Sequence, residues 1–174
     1  MAWTGPLAVA AILAVVAGVA KVVRPGPVVV ALRGIGVSFA SPTMVRLSSL
    51  LEAILGGVTL GSGWGPAILG LGATYLAFAT FVTVAQSHPG ISSCGCFGET
   101  DAPPSWRHVI VDFGLATGCV GAFVASAPGI GPVLSAQPLA GIPFTVVVLM
   151  TSWLASVVLR GPQVGALEPS GPAR

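Results

Sequence analysis

The sequence predicts an all-α membrane protein: a polytopic bundle of about five transmembrane helices, made of a four-helix core plus a C-terminal helix, with one interfacial segment. Two observations predict this class. Of 174 residues, 54% are hydrophobic and 7% are charged, whereas charged residues make up about a quarter of an ordinary soluble domain. The apolar residues also form runs long enough to cross about 30 Å of hydrocarbon. A soluble fold would lack the polar side chains to cover its surface.

Five apolar runs are predicted to cross the bilayer. No basic residue precedes the first run, so we interpret it as a retained helix and not as a signal peptide. The third run contains no charge and begins at Trp64, a residue type that often lies at the membrane interface. The runs are residues 6–23, 42–60, 64–86, 106–127 and 139–159.

Residues 28–40 form a sixth apolar run that is short and carries Arg33 in its middle. A crossing here would place a charge at the bilayer centre, which is unfavourable. We therefore predict an amphipathic segment in the interface. This choice sets the side of the membrane on which every later loop lies.

The predicted integral membrane domain covers residues 1–160, and residues 161–174 form a tail predicted to be disordered. Loops rich in Lys and Arg tend to stay in the cytoplasm. With five crossings, the N-terminus is predicted outside and the C-terminus in the cytoplasm. All the basic residues then fall on one side of a multi-pass cell-membrane protein: Lys21, Arg24, Arg33, Arg46, Arg107, Arg160 and Arg174.

The polar loop 87–105, which the same rule places in the cytoplasm, contains the sequence Cys94-Gly95-Cys96-Phe97-Gly98. Two thiols separated by one glycine can close into a strained disulfide ring, which is easier to reduce than a structural disulfide. We predict that Cys94 and Cys96 are the catalytic pair. A nearby positive charge would favour the reactive thiolate. The flanking residues able to supply that charge are His88, Arg107 and His108.

Other interpretations of the cysteines stay open at this point. The pair could form a purely structural disulfide or two ordinary reduced thiols. A metal site would use both thiolates with His88 and His108, but the spacing matches no common zinc pattern, so no metal is predicted. Cys119 lies deep in the fourth crossing and is predicted to be a small buried side chain with a free thiol.

Two acidic residues within the crossings need compensation. Glu52 lies near the middle of the second crossing, where an unpaired carboxylate is costly. Its charged partners could be Lys21 or Arg107, and a hydrogen bond to a Ser or Thr is the alternative. Asp112 lies about 9 Å along the fourth crossing, a depth that Lys21 could share, and a pair of Lys21 with Asp112 there would be structural.

These residues resemble the MauE family of methylamine utilisation membrane proteins, which are similar in layout to DoxX-like membrane proteins. The matching residues are the Ala17-Gly18-Val19-Ala20-Lys21 end of the first crossing, Glu52, the CGCFG string and the helix opening at Trp106. The resemblance spans about residues 10–125. It implies an integral membrane protein that assists disulfide formation and maturation of the methylamine dehydrogenase small subunit. By position it implies Cys94 and Cys96 as the redox pair and Glu52 as an intramembrane acid.

The expected function is therefore thiol-disulfide redox exchange or maturation in amine metabolism. A membrane assembly scaffold, or a small-molecule or metal transporter without redox chemistry, is the alternative. The expected partners are a thioredoxin-like redox protein, a secreted or periplasmic client protein and the lipid bilayer, with no nucleic acid. No cofactor is required. A quinone would suit a membrane thiol oxidant, but no residue of the sequence specifies one.

Overall fold

The fold is an all-helical bundle. The computed structural model describes residues 2–160 except 89, 92, 94 and 96–102, and within those residues it contains helices and turns but no strand. Five helices are long and apolar enough to cross a membrane, which confirms the predicted fold class. They are α1 (Thr4–Val23), α3 (Pro42–Ser62), α4 (Gly65–Gln86), α5 (Trp106–Val124) and α7 (Pro138–Arg160).

Two shorter helices lie between the crossings. Helix α2 (Gly26–Gly34) has 9 residues and is about 14 Å long at 1.5 Å per residue, so it cannot span the bilayer. This confirms that the segment around Arg33 adds no crossing. Helix α6 (Ile130–Ala136) packs against α3 and α7. Helix α6 was not predicted from the sequence, because Gly and Pro crowd this segment.

Helix α1 is the centre of the bundle, since it packs against α3, α4, α5 and α7. Its buried face consists mostly of alanines and leucines. It meets Leu71 and Tyr75 of α4 and Ala116 of α5 in the main apolar core. Helices α4 and α5 form a second closely packed pair. Small side chains allow helix backbones to approach in this way, and such packing drives helix association in lipid.

Glycines set the spacing between α1 and α3. A Cβ atom at Gly18 would lie 2.7 Å from the Ser49 carbonyl oxygen, and one at Gly56 would lie 2.7 Å from the Ala11 carbonyl oxygen. Neither position has room for a side chain. The two antiparallel helices therefore touch backbone to backbone, which brings the last turn of α1 next to α3.

The two ends of the bundle differ in charge. One end holds the end of α1, all of α2, the start of α3, the loop after α4, the start of α5 and the end of α7; we call it the charged end. There Arg46 Nε donates a hydrogen bond of 3.2 Å to the Val22 carbonyl. Every Lys and Arg among the described residues lies at or near this end: Lys21, Arg24, Arg33, Arg46, Arg107 and Arg160. Their clustering agrees with the predicted topology, and the side that faces the cytoplasm stays a prediction.

The glycine contact between α1 and α3 gives a matched pair of substitutions. Gly56→Ala should lower the free energy of unfolding by about 1 to 3 kcal/mol, because the new methyl group overlaps the α1 backbone. Gly57→Ala should be neutral or stabilising by up to about 1 kcal/mol, since nothing lies within 4 Å of its Cβ position. Unfolding of the purified protein in detergent measures both. Equal effects of the two substitutions would contradict the packing described here.

Candidate functional site

A buried ion pair lies between α1 and α3. The Lys21 ammonium nitrogen is 2.6 Å from Glu52 Oε2, and the two side chains are 5% and 4% exposed. Glu52 lies about 15 Å along α3 from its first residue, close to the middle of the crossing. Of the charged partners proposed from the sequence for Glu52, the structure selects Lys21. Each charge removes the penalty that the other would carry alone in an apolar environment.

The surroundings of the pair are asymmetric. The Lys21 nitrogen also lies 4.1 Å from the centroid of the Phe78 ring, a cation–π contact that stabilises the ammonium further. The second carboxylate oxygen of Glu52, Oε1, is buried and has no hydrogen-bond partner among the described residues. Buried polar atoms in proteins nearly always have a partner. This oxygen is thus a buried acceptor that is unused among the described residues.

Asp112 lies near this pair without joining it. Asp112, Lys21, Glu52 and Tyr75 all line a small cavity of about 40 Å³. Of the two carboxylates that the sequence offered to Lys21, the described residues show it paired with Glu52 and not with Asp112. Tyr75 is held separately, since its hydroxyl donates a hydrogen bond of 2.6 Å to the Ala10 carbonyl.

His108 is a link between helices. Its Nε2 lies 3.0 Å from the Leu159 carbonyl oxygen on α7, and its Nδ1 lies 2.9 Å from the Ser105 hydroxyl. A carbonyl can only accept, so Nε2 is the donor to Leu159. Both ring nitrogens of this buried histidine are engaged, which disfavours it as a metal ligand.

The other basic residues proposed to flank the cysteines lie at the helix ends. His88 follows α4, and its Nδ1 donates a hydrogen bond of 3.0 Å to the Val84 carbonyl. Arg107 lies in the first turn of α5 and is exposed. Both residues are therefore at the charged end, where loop 87–105 begins and ends. Their proposed effect on the thiolate stays a prediction.

Cys94 and Cys96 lie outside the described residues, but the glycine between them is described. Gly95 is buried and has a φ of +65°. A Cβ atom there would lie 2.8 Å from the Val28 backbone nitrogen and 3.0 Å from the Pro27 Cβ. Only glycine fits this position, because the backbone is left-handed and the first turn of α2 fills the space.

Helix α2 also forms one wall of a larger cavity of about 400 Å³. Val28 and Leu32 of α2 face this cavity from one side, and residues of α3 and α4 form the other walls. Lys21 and Glu52 line it as well. This cavity could not be predicted from the sequence, because a space between several helices leaves no local sequence signal.

A comparison with protein families shows to which family this helical bundle belongs. The family described as methylamine utilisation protein MauE matches residues 1–126. The chain belongs to the MauE family. No curated protein and no solved structure matches the chain significantly. The match confirms the resemblance drawn from the sequence.

The MauE match covers α1 to α5 and includes the ion pair, the cysteine loop and the walls of the larger cavity. Helices α6 and α7 lie beyond the match. In this MauE-family chain α7 is nevertheless fixed to the matched region, both by the bond from His108 and by packing of Leu159 with Ala17 and Val111.

Cys119 belongs to the packing of this MauE bundle. It is a free thiol with no exposed surface. Its Cβ lies 3.2 Å from the position that a Cβ atom of Gly72 would occupy, so it fills the close contact between α4 and α5. This agrees with the prediction of a small buried side chain and provides a control cysteine for experiments on the loop.

The ion pair can be tested with a double-mutant cycle. Lys21→Met and Glu52→Gln should each lower the free energy of unfolding by about 3 to 5 kcal/mol, because each leaves one buried charge without the opposite charge that compensates it. The double variant should lose clearly less than the sum. Unfolding in detergent is the measurement, and Arg107→Met, which removes an exposed charge, is the control. Additive losses would mean that the two residues do not depend on each other.

Proposed function

We propose that this MauE-family protein is an integral membrane thiol-disulfide exchange factor in which Cys94 and Cys96 are the redox pair. A thiolate of the pair attacks a disulfide of a thioredoxin-like partner, which releases one partner thiolate and forms a mixed disulfide. The second cysteine attacks the mixed disulfide and releases the other partner thiolate. The Cys94–Cys96 disulfide remains, and the partner is reduced. The reverse sequence oxidises the partner.

The observation that carries this proposal is the position of Gly95. Gly95 is buried, has a left-handed backbone and is tightly packed against the first turn of α2, so the backbone between the two cysteines is held in one position. A reactive pair does benefit from a fixed backbone, because attack on a disulfide requires the sulfurs to approach along one direction. The fixed glycine between the cysteines therefore supports a role of this loop in thiol-disulfide exchange.

The family supports a client in amine metabolism. Its description is methylamine utilisation, and the resemblance points to the disulfide-rich small subunit of methylamine dehydrogenase as a secreted or periplasmic client. The distribution of basic residues instead supports a cytoplasmic position for the charged end, and so for the cysteine loop. These two expectations conflict unless another protein connects the loop to the client, and the labelling experiment below decides between them.

Cysteine replacement separates redox exchange from a scaffold or transporter. Cys94→Ser/Cys96→Ser should abolish exchange with a thioredoxin-like protein, whereas Cys119→Ser should retain it because Cys119 is buried between helices. Gel-shift thiol labelling after oxidation and reduction is the measurement. Full function of the double serine variant would favour a scaffold or transporter.

The side of the membrane on which the cysteine pair lies is tested with a membrane-impermeant thiol reagent. The pair should react in inside-out vesicles and stay unlabelled in intact cells.

The fixed glycine can be tested without touching either thiol. Gly95→Ala should slow thiol exchange about tenfold or more, since a non-glycine residue in such a backbone costs about 1 to 3 kcal/mol. Gly90→Ala is the control in the same loop, because nothing lies within 4 Å of its Cβ position. Exchange rates with equal amounts of folded protein are compared. Equal rates for the two variants would remove the main support for the proposal.

A further inference from the structure

The 400 Å³ cavity has the size and position of a site for a membrane-soluble ligand. Small-molecule sites usually enclose about 300 to 1,000 Å³, so about 400 Å³ is sufficient for a ring with a few substituents. Met44 and Leu51 line the cavity and are 39% and 57% exposed, so it is open at α3. Because α3 spans the membrane, a ligand can enter from the hydrocarbon.

The polar groups of the cavity indicate what kind of head group it accepts. Lys21 supplies a donor, and Oε1 of Glu52 is a buried acceptor without a partner among the described residues. The side chains of Phe78 and Phe81 add aromatic surface. A quinone carbonyl accepts a hydrogen bond from an ammonium group, and a quinol hydroxyl donates one to a carboxylate oxygen. An acyl chain of a lipid offers neither group.

The cavity shares a wall with the cysteine loop. Val28 faces the cavity, and its backbone nitrogen is the atom against which Gly95 packs. At the other end of α2, Ile91 of the loop lies 3.2 Å from the Cβ position of Gly34. The loop therefore packs on the same short helix that lines the cavity.

We propose that this cavity binds the head group of a membrane-soluble quinone, and that the quinone is the electron acceptor of Cys94 and Cys96. The inference rests on the proposed function for its electron donor, and it adds the acceptor and the direction of flow. The two thiols lose two electrons and two protons as the S–S bond forms. The quinone gains both and leaves into the bilayer as the quinol. The new disulfide then oxidises the thioredoxin-like partner.

The test uses the full chain, reduced and freed of reductant, in phosphatidylcholine nanodiscs with decylubiquinone as the probe. Ala77→Phe fills this cavity, and Ala73→Phe, one turn earlier on α4, fills a separate groove between α4 and α5. The wild type and Ala73→Phe should form one quinol per disulfide. Ala77→Phe should reduce the quinone about tenfold more slowly or worse, equivalent to about 1.4 kcal/mol of lost binding.

Leu32→Trp fills the same cavity from the α2 side and should act like Ala77→Phe if the latter folds poorly. Equal rates for Ala73→Phe and both cavity-filling variants would overturn the assignment of the site. An absence of quinol from a wild type that does exchange with the partner would overturn quinone as the acceptor and leave the proposed function standing.

Quinone binding is measured separately from quinone reduction, so that a loss of reduction can be assigned either to the binding site or to the thiol chemistry. Cys94→Ser/Cys96→Ser should bind decylubiquinone as the wild type does, whereas Ala77→Phe should bind it at least about tenfold more weakly. If the double serine variant binds but the wild type neither exchanges thiols nor forms quinol, the thiol chemistry fails and the binding site stands. Equal binding by Ala77→Phe and Ala73→Phe would overturn the site itself.

Discussion

The ion pair of Lys21 and Glu52 is the constraint on which the rest of the structure depends. Each charge by itself would be strongly destabilising inside a membrane. The two are stable together only if α1 and α3 lie close enough for a contact of 2.6 Å. The glycines at 18 and 56 provide that closeness, because each leaves room for the backbone of the other helix. The ion pair and the two glycines thus depend on each other. The glycines permit the contact, and the contact fixes which faces of the two helices meet.

The opposite end of the bundle is held together by different forces. The termini and turns there contain no Asp, Glu, Lys or Arg among the described residues. Glycines meet each other instead: Gly129 has a Cβ position 2.7 Å from the Gly63 nitrogen, and Gly131 has one 2.5 Å from the Gly61 carbonyl oxygen. Tight backbone contact closes that end. At the charged end the helices are joined by side-chain hydrogen bonds and by α2, which leaves space for a cavity. The polar chemistry of the protein is accordingly concentrated at one end.

Much of this architecture could be predicted from the sequence, because it follows from local composition. The long apolar runs give the five crossings, and a charge within a short run identifies a segment that does not cross. The need of Glu52 for a partner was also evident, but the choice of Lys21 over Arg107 depends on how α1 packs against α3. The bond from His108 to Leu159 joins residues far apart in the chain, which no local pattern reports. Helix α6 was not predicted because Pro132 suggests a break in a helix. In the structure Pro132 lies in the first turn of α6, where a backbone N–H would have no intrahelical partner.

Helix α2 connects the loop with the cavity. This helix is too short to cross the membrane, and it is covered by the loop at Gly34 and at Val28. The opposite side of Val28 and Leu32 forms the cavity wall. Val28 thus belongs both to the cavity wall and to the surface against which Gly95 packs. A substitution that displaced Val28 would act on the cavity and on the backbone at Gly95 together, because one nine-residue helix contributes to both.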